Sequence, residues 1–429
     1  MNFETDGKIM KHSARFVFRI AALLATGLYA GRATRADING LEGSDFRLTA
    51  SAGTIVMPDG LSVHVWGFGP TDGNMQYPGP TLITTQGQLT QITLLNELPE
   101  PTSMVFPGMV NVVADGGVGT QQGLLALEAL PGGTVSYSFT PRQPGTYLYY
   151  SGTRPDVQVE MGLLGALIVR PMDFDPLAPR AYQDNETAYD QEYLFLLSEM
   201  DPRIHEVVLR LGSAGLDGLD YLTDHQPQYW FINGRVGPDT FLPNNVPWLK
   251  HQPYGAMART HPGERMLMRV VGGGRDVHPF HHHGNHARVI AKNGRLGTSA
   301  SYEVFTIQTA PGETIDAIWT WTGQRLGWDA YGHAPGDPLE PGEYAPDHGK
   351  PIPVNLTELQ DLAFGGFYSG DPFLGSLKSL PPGEGGLNQN GGFHFMWHSH
   401  TEKELVNNDI APGGMMTMCI VEPHGVPID

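Results

Sequence analysis

Short segments in which apolar and polar residues alternate recur along most of this chain, and turn-forming residues separate them. Alternation with a period of two places successive side chains on opposite faces of a strand, whereas an amphipathic helix needs a period of 3.6 residues. The 55 glycines and 35 prolines among the 429 residues supply turns between such strands. Clear alternating segments are residues 61–66, 89–95, 134–139 and 145–150. The pattern predicts an all-β protein built from many short strands.

The strand pattern divides the chain into two β-rich regions. Residues 46–172 are predicted to form a first β-sandwich domain, and the polar, proline-containing residues 173–190 a linker. A second domain is predicted over residues 191–425, with a glycine- and proline-rich insertion at 323–392 that contains a short helix near 355–362. Each region places a Pro-Gly turn before an alternating strand, which suggests two copies of one fold.

The N-terminal segment has the composition of an export signal. Basic residues precede an apolar run at residues 20–30, and small residues follow as far as Ala36. The apolar run is shorter than a comfortable membrane span. We therefore expect residues 1–36 to be a signal peptide that directs the protein to a bacterial periplasm or to secretion. An uncleaved anchor is the alternative.

Charge and cysteine content restrict the partners. The formal net charge of −19 argues against nucleic acid and against anionic membrane surfaces, so no membrane contact is expected beyond the signal segment. Cys419 is the single cysteine of the chain, which excludes an intrachain disulfide. A metal site must therefore be built from histidine, carboxylate or methionine side chains. Cys419 itself is expected to be a small buried core residue.

Two stretches of the chain are dense in histidine. Residues 278–286 contain five histidines and residues 394–400 contain three, out of 17 in the chain. In a strand, residues i and i+2 share a face and lie about 6.5–7 Å apart. Each stretch contains a His-x-His pair, so each is predicted to direct two imidazoles to one side of its strand.

The predicted metal ligands are the two His-x-His pairs and one further histidine. They are His278, His281, His283, His398 and His400. If the two strands are neighbours, the paired imidazoles share one surface and suit copper, zinc, iron or nickel. Four nitrogens can close one site or divide between two ions. A solvated histidine-rich turn is the alternative interpretation.

Other residues of these stretches are predicted to lie outside the site. His282 and Ser399 have the opposite parity and should point to the other face of their strands. His286, His394 and His424 are interpreted as ordinary structural or surface histidines.

At these residues the chain resembles the multicopper oxidases, which are built from cupredoxin domains. Residues 278–284, His-Pro-Phe-His-His-His-Gly, are similar to that family's third copper motif. Residues 398–400 followed by Gly413-Gly-Met415 are similar to the fourth. Further similarity lies at residues 77–82, 145–151, 161–169 and 310–313. The resemblance covers most of residues 46–423 outside the insertion. It implies two cupredoxin-like Greek-key β-sandwich domains, bound copper and oxidoreductase activity.

The chain departs from that family at most of its copper ligands. Residues 105–108 and 150–152, where the first two motifs should lie, contain no histidine. Ser399 stands at the position of the blue-copper cysteine, and Glu404 at that of the second blue-copper histidine, so only the counterpart at His278 remains. A serine hydroxyl cannot replace the soft thiolate of a blue-copper site. The resemblance thus implies one or two non-blue coppers in the second domain, with zinc or another transition metal not excluded.

Several neighbouring side chains have two interpretations each. Tyr149 and Tyr150, which replace expected histidines, either fill volume or donate hydrogen bonds at the site. Glu402, Glu404 and Asp409 either supply a carboxylate ligand or a partner that orients an imidazole, or form a solvated acidic loop.

Three functions are compatible with these residues. The first is an exported copper-binding protein with residual oxidoreductase activity toward a small-molecule or metal-ion substrate. The second is a non-catalytic metal-handling protein, or a component of an electron-transfer complex with a redox protein partner. The third is a mononuclear enzyme, either for nitrite reduction, for which no type 1 electron-entry site is visible in the sequence, or for zinc-dependent hydrolysis, for which Glu402 or Glu404 is the candidate general base. An oligomer is compatible with each of them.

Overall fold

The computed structural model describes most of the chain from Arg35 onward. The described residues are 35–297, 302–334, 336–340, 342–351, 393–422, 424 and 426–428. The predicted signal peptide lies outside them except for its last two residues, and so do most of the predicted insertion and its predicted helix at 355–362. The described residues belong to one compact unit. Among them, no helix is long and apolar enough to cross a membrane.

Strands dominate the first region. Its elements are β1 (Leu41–Glu42), β2 (Asp45–Val56), β3 (Ser62–Pro70), β4 (Leu82–Thr85), β5 (Thr90–Asn96), β6 (Val113–Gly116), β7 (Thr120–Gln122), β8 (Leu127–Ala129), β9 (Thr134–Phe139), β10 (Gly145–Tyr150), α1 (Pro155–Gln158) and β11 (Leu164–Arg170). One sheet has the order β3-β2-β5-β9-β6 and a second the order β1-β4-β11-β10, while β7 pairs with β8. Trp66 and Ile92 of the first sheet share a core with Leu82 and Leu167 of the second.

The second region is also built of strands. Its elements are β12 (Gln191–Met200), α2 (Pro202–Leu211), β13 (Tyr229–Ile232), β14 (Ala258–Thr260), β15 (Arg265–Gly272), β16 (His278–His282), β17 (Ala287–Lys292), β18 (Arg295–Leu296), β19 (Glu303–Val304), β20 (Thr306–Thr309), β21 (Thr314–Thr320), β22 (Phe393–Ser399) and β23 (Met416–Val421). Single 3₁₀ turns occur at Asn185–Thr187, Ser213–Leu216, Asp239–Phe241, Ala345–Asp347 and Glu402–Glu404. The prediction of an all-β fold is confirmed.

The two regions repeat one pairing order. In the first, β2 lies between antiparallel β3 and parallel β5, and in the second β12 lies between antiparallel β13 and parallel β15. The facing sheets correspond as well, because β11 pairs with parallel β4 and antiparallel β10 as β23 pairs with parallel β14 and antiparallel β22. Each described sheet draws its strands from one side of residues 173–190. This order supports two copies of one fold, while the exact domain boundaries stay a prediction.

Helix α2 was not predicted from the sequence. Asp201 caps it, since its side chain accepts a hydrogen bond from the Arg203 backbone N–H, and Pro202 occupies the first turn. Ile204 and Val208, four residues apart, pack into the core of the first region. A capped ten-residue helix inside a strand-rich pattern thus joins the two regions.

A buried network of charges also crosses between the regions. Arg170 of β11 forms two hydrogen bonds of 2.6 and 2.7 Å with Glu192 of β12. Arg269 of β15 donates to the same carboxylate at 2.7 Å and lies 3.5 Å from Asp316 of β21. Thr146 of β10 bridges Arg269 and Asp316 through its hydroxyl. All five side chains are buried, so each charge depends on the others for compensation.

Two tyrosines of the linking residues complete this network. The Tyr182 hydroxyl donates to Asp316 at 2.6 Å, and the Tyr189 hydroxyl accepts from Arg170 at 2.9 Å. Burial by itself would raise the pKa of Glu192, but Arg170 and Arg269 outweigh it and hold that pKa at about 2. Glu192 therefore stays ionised throughout the neutral range.

We expect Glu192→Gln to destabilise the protein by about 3–5 kcal/mol near pH 7, because it leaves two buried guanidinium groups without their carboxylate. A carboxyl with a lowered folded-state pKa loses its contribution as the pH falls from about 4.5, its ordinary value, toward 2. The difference in unfolding free energy between wild type and variant should therefore shrink by on the order of 3 kcal/mol over that range.

Urea unfolding at several pH values measures this difference. The exposed Glu42→Gln variant is the control and should stay within about 0.5 kcal/mol of the wild type. A difference in unfolding free energy between wild type and Glu192→Gln that does not change with pH would contradict the assignment of Glu192 as an ionised carboxylate with a lowered pKa.

Candidate metal centre

The two histidine-rich stretches form neighbouring strands. β16 and β22 pair in antiparallel register with His281 directly opposite His398, and β20 pairs with the other edge of β16. Burial alternates along β16, where His278, Phe280 and His282 face the core and His281 faces outward. The predicted parity is therefore confirmed for these residues, and the outward imidazoles of the two strands share one surface.

Three of the predicted ligands converge. His281, His283 and His398 each bring a ring nitrogen to within 4.8 Å of the others. The Nε2 atoms of His283 and His398 are 3.3 Å apart, and the His281 ring centroid lies 4.7 Å from that of His283 and 5.4 Å from that of His398. We call these three residues the imidazole cluster.

Backbone carbonyls orient two of the three rings. The Nδ1–H of His281 donates to the Phe305 carbonyl at 2.7 Å, with Thr306 Oγ1 at 3.1 Å, and the Nδ1–H of His398 donates to the Ser399 carbonyl at 2.7 Å. With the proton on Nδ1, the lone pair of each ring is on Nε2. Such hydrogen bonds are the usual outer contacts of histidine ligands, because they fix both tautomer and ring orientation.

The rings are neutral at ordinary pH. Burial, reinforced by the neighbouring imidazoles, lowers the pKa of His281 and of His398, and lowers that of His283 to about 4. The Nε2 lone pair of His398 lies 3.3 Å from His283 Nε2, so a cation bound beside this pair could take a lone pair from each ring once both carry their protons on Nδ1. Three neutral, oriented imidazoles are a donor set that suits copper or zinc, so these residues fit the metal that the family resemblance implies.

His400 lies at the rim of the cluster and outside its donor set. Its ring is 5.0 Å from that of His281 and 5.9 Å from that of His398, and its side chain is exposed. The reason is the antiparallel register, in which the His400 N–H donates to the carbonyl of Pro279. His283 and His400 then extend from opposite ends of the central pair, about 13 Å apart along the strands. Three of the four paired imidazoles therefore bring nitrogens to within 4.8 Å of one another, and a metal-binding role for His400 stays a prediction.

His278 lies on the inner face of β16, away from the imidazole cluster. Its Nε2 is 2.8 Å from Glu199 Oε2 and its Nδ1 is 3.0 Å from Glu404 Oε2, with all three side chains buried. Burial by itself would lower the pKa of His278, but the two carboxylates outweigh it and raise that pKa to about 9. Both ring nitrogens therefore donate hydrogen bonds. A metal-binding role for His278 stays a prediction, and in this structure both of its ring nitrogens face carboxylates.

Where the resemblance would place a blue-copper site, the structure has a hydrogen-bonded ion triplet of His278, Glu199 and Glu404. Ser399 is fully buried, and its Oγ accepts from the Thr401 backbone N–H at 3.1 Å, which holds the following loop. The Ser399 N–H donates to the Met415 carbonyl, and the Met415 N–H donates to the Glu404 carbonyl, so the four motif positions remain neighbours. The sequence identified Glu404 as a residue that could orient an imidazole, and the structure assigns it to His278.

Glu199 was not singled out from the sequence. It lies on β12, 79 residues before His278, inside an apolar strand with no motif around it. Its other carboxylate oxygen accepts from the backbone N–H groups of Arg275 and Asp276. Glu199, His225 and Asp276 also bring donor atoms to within 4.8 Å of one another beside this triplet. Glu199 and His278 lie on different sheets, so only the packing of the folded chain brings them together.

The remaining candidates have structural places. Tyr149 is buried and donates to the Pro80 carbonyl at 2.6 Å, and Tyr150 packs on an apolar cluster that includes Leu164, so the volume-filling interpretation fits both. Cys419 is buried in the second core, as predicted.

Among the side chains of the acidic loop, Glu402 and Asp409 are exposed, which supports the solvated-loop interpretation for these two. His282 is buried with Nε2 3.0 Å from the Val304 carbonyl, and His286 is exposed. Neither histidine belongs to the imidazole cluster.

Comparison with known proteins agrees with the motifs. A family model described as multicopper oxidase matches residues 50–173. The chain is 26% identical over 282 residues to a copper-containing nitrite reductase of Pseudomonas chlororaphis, covering 64% of this chain and 70% of that one. It is 30% identical over 151 residues to copper resistance protein A of Escherichia coli, covering 35% and 22% of the two chains.

Among solved structures, a blue copper oxidase from Nitrosomonas europaea aligns with a TM-score of 0.55 at 19% identity, covering 87% of this chain and 85% of that one, which shows a shared fold. The chain is therefore similar to the multicopper oxidases over residues 50–173, and it shares the fold of a blue copper oxidase.

We expect the double variant Ser399→Cys with Glu404→His to restore a blue-copper site. The thiolate and the new imidazole would face His278 Nδ1, while Glu199 keeps His278 Nε2 and Met415 stays adjacent. A copper-loaded double variant should show the intense visible absorption of a copper–thiolate bond. Ser399→Cys alone is the control and should lack it. A folded double variant that binds more copper than the Ser399→Cys control but lacks this band would contradict the interpretation of the ion triplet.

Proposed function

We propose that this multicopper oxidase-like protein is an exported copper-binding oxidoreductase with a single non-blue copper ion held by His281, His283 and His398. The observation that carries the proposal is the convergence of three ring nitrogens within 4.8 Å, with two of the rings oriented by backbone carbonyls. Export is supported by the composition of residues 1–36.

Copper is favoured over the other metals for two reasons. The relatives named above include a copper-containing nitrite reductase and a copper resistance protein. Imidazole sites of a given geometry also bind copper(II) more tightly than the other divalent first-row metals. Three neutral donors leave at least one coordination position for a substrate or solvent molecule, which is the arrangement of a reactive rather than a closed site. A copper ion held there would supply one-electron redox chemistry.

The residues at the inner face of β16 restrict the routes by which electrons can reach the imidazole cluster. Ser399 offers no thiolate, and both nitrogens of His278 are engaged by carboxylates. Among the described residues, these positions therefore offer no electron path of the blue-copper type to the imidazole cluster. Electrons must come directly from a small reductant or a partner protein at the outer surface, where the cluster is half-buried and His400 is exposed.

Aromatic side chains border the imidazole cluster and support its rings. Phe305 is 57% exposed and lies edge-on to His281 at 5.9 Å, so an apolar ring borders the cluster. Its carbonyl holds the His281 tautomer, which couples the position of the bend between β19 and β20 to the ligand geometry. Trp397 donates from its indole to the His283 carbonyl at 3.1 Å and thereby supports the third ring from the core side. These contacts favour a small aromatic or metal-ion reductant.

A second candidate function is non-catalytic metal handling, in which the cluster stores or delivers copper. The loss of the blue-copper position, with its replacement by a buried ion triplet, favours this function. The two functions share the metal site and differ in turnover, so separate measurements of binding and of activity distinguish them.

We expect His281→Ala and His398→Ala to weaken copper binding by about 10–100-fold or more, because each removes a central ligand of the opposed pair. Copper content, with electron paramagnetic resonance of the loaded protein, measures the effect. His286→Ala is the matched control, since His286 is an exposed histidine of the same stretch outside the cluster. Loaded wild type should show a copper(II) signal without a strong blue band. A wild type that takes up no copper would overturn the proposal.

Turnover is tested on the same proteins with phenolic, ferrous and cuprous reductants and with dioxygen or nitrite as acceptor. Activity in the wild type that is lost in His281→Ala and kept in His286→Ala would support the oxidoreductase. A copper-loaded wild type that is inactive with every pair would support metal handling instead.

A further inference from the structure

The part of the predicted insertion that the structure describes contains a second group of metal-ligating side chains. Asp329, His333, Glu343 and His348 bring one donor atom each to within 4.8 Å of one another. We call them the insertion cluster. They lie within 20 residues of chain, separate in sequence from the imidazole cluster on β16 and β22.

The spacing of the four donor atoms is that of a coordination sphere. The His348 Nδ1 atom is 2.7 Å from Glu343 Oε1 and 3.9 Å from Asp329 Oδ2. The His333 Nδ1 atom is 3.1 Å from Asp329 Oδ2 and 3.4 Å from Glu343 Oε1. In a tetrahedron with bonds of about 2.0–2.1 Å the donor atoms lie about 3.3 Å apart. The four observed separations bracket this value, and each imidazole faces both carboxylates.

Contacts outside the cluster aim the donor atoms inward. The His348 Nε2–H donates to the Asp337 carbonyl at 2.9 Å, so Nδ1 is the ring nitrogen that faces the cluster, where it contacts Glu343. Asp329 accepts from the backbone N–H groups of Tyr331 and Gly349 at 2.8 and 2.7 Å. The Glu343 Oε2 atom accepts from the Glu340 N–H at 2.9 Å, which leaves Oε1 for the cluster. This is the outer arrangement found around protein metal ligands.

Burial makes the two carboxylates depend on a cation. The side chains of Asp329 and Glu343 are 1% and 3% exposed, and those of His333 and His348 are 14% and 17% exposed. Two carboxylates withdrawn from water need positive charge beside them. Two protonated histidines would meet this need, and so would one divalent metal ion. The ion also satisfies the near-tetrahedral spacing, which paired salt bridges do not require.

We propose that Asp329, His333, Glu343 and His348 form a closed, structural site for a zinc-class divalent ion. Four protein ligands leave no open coordination position, which is typical of structural sites. The ion would hold the described residues 323–334, 336–340 and 342–351 against the second core. The contacts support this role, because Trp328 lies in the second core and Tyr331 stacks between His333 and His424 at 5.7 and 5.3 Å.

The test uses the full chain with His281→Ala and His398→Ala, so that the imidazole cluster does not contribute to the metal count. After chelation, this protein should take up about one equivalent of zinc, and cobalt(II) should give the visible bands of a tetrahedral site. Adding His333→Ala with His348→Ala should abolish both signals. His424→Ala is the matched control, because His424 stacks on Tyr331 and supplies no donor atom to the cluster.

Limited proteolysis within residues 323–351 gives a second readout in the same protein. With free zinc at about 100 times its Kd, cleavage that requires local opening should slow by on the order of 100-fold. If the double alanine variant fails to fold, the nearly isosteric Glu343→Gln takes its place. A folded protein with no zinc uptake and no zinc-dependent change in cleavage would overturn the proposal and leave a pair of salt bridges. Neither result depends on copper binding at the imidazole cluster.

Discussion

The buried network around Glu192 is the interaction on which the relative placement of the two sandwiches depends. It joins β10 and β11 of the first region to β12, β15 and β21 of the second, with two tyrosines of the linking residues. A charge inside a protein is tolerated only with its partners in place, so this network restricts the arrangement of the two regions far more than an apolar contact would. β12 and β15, which carry it, also form the sheet that faces β16 across the second core, and β12 contributes Glu199 to the ion triplet.

The two faces of the strand pair β16 and β22 hold histidines in chemically opposite environments. On the outer face of β16 and β22, burial and crowding keep His281, His283 and His398 neutral, so their lone pairs are available to a metal. On the inner face, two carboxylates keep His278 protonated and use both of its nitrogens. The alternation of side chains in a strand separates these environments by a single residue. The metal-binding capacity of the fold can therefore persist after its blue-copper position has been converted into a structural ion triplet.

Much of this could be predicted because it depends on local periodicity. The His-x-His spacing predicts which imidazoles share a face, and the alternating segments predict the strands. The structure differs from the predictions where segments that are distant in the sequence meet. The antiparallel register of two strands more than 100 residues apart places His400 at the rim of the imidazole cluster. His278 is hydrogen-bonded to Glu199. The residues around Glu199 in the sequence have the pattern of an ordinary buried strand, so they give no signal of this contact. Helix α2 has a clear cap in Asp201 and Pro202, yet the strand-rich pattern around it concealed the signal.

The sequence by itself determined the all-β class, the two histidine-rich strands and the loss of the thiolate at Ser399, because each of these follows from residue type and spacing within a few residues. The tertiary structure alone decided that three imidazoles meet and a fourth lies at the rim, that His278 is held as a cation, and that four side chains of the insertion converge. Those outcomes rest on strand register and on buried charges that need partners. Both are properties of segments brought together by folding, and neither is encoded in any short stretch of the chain.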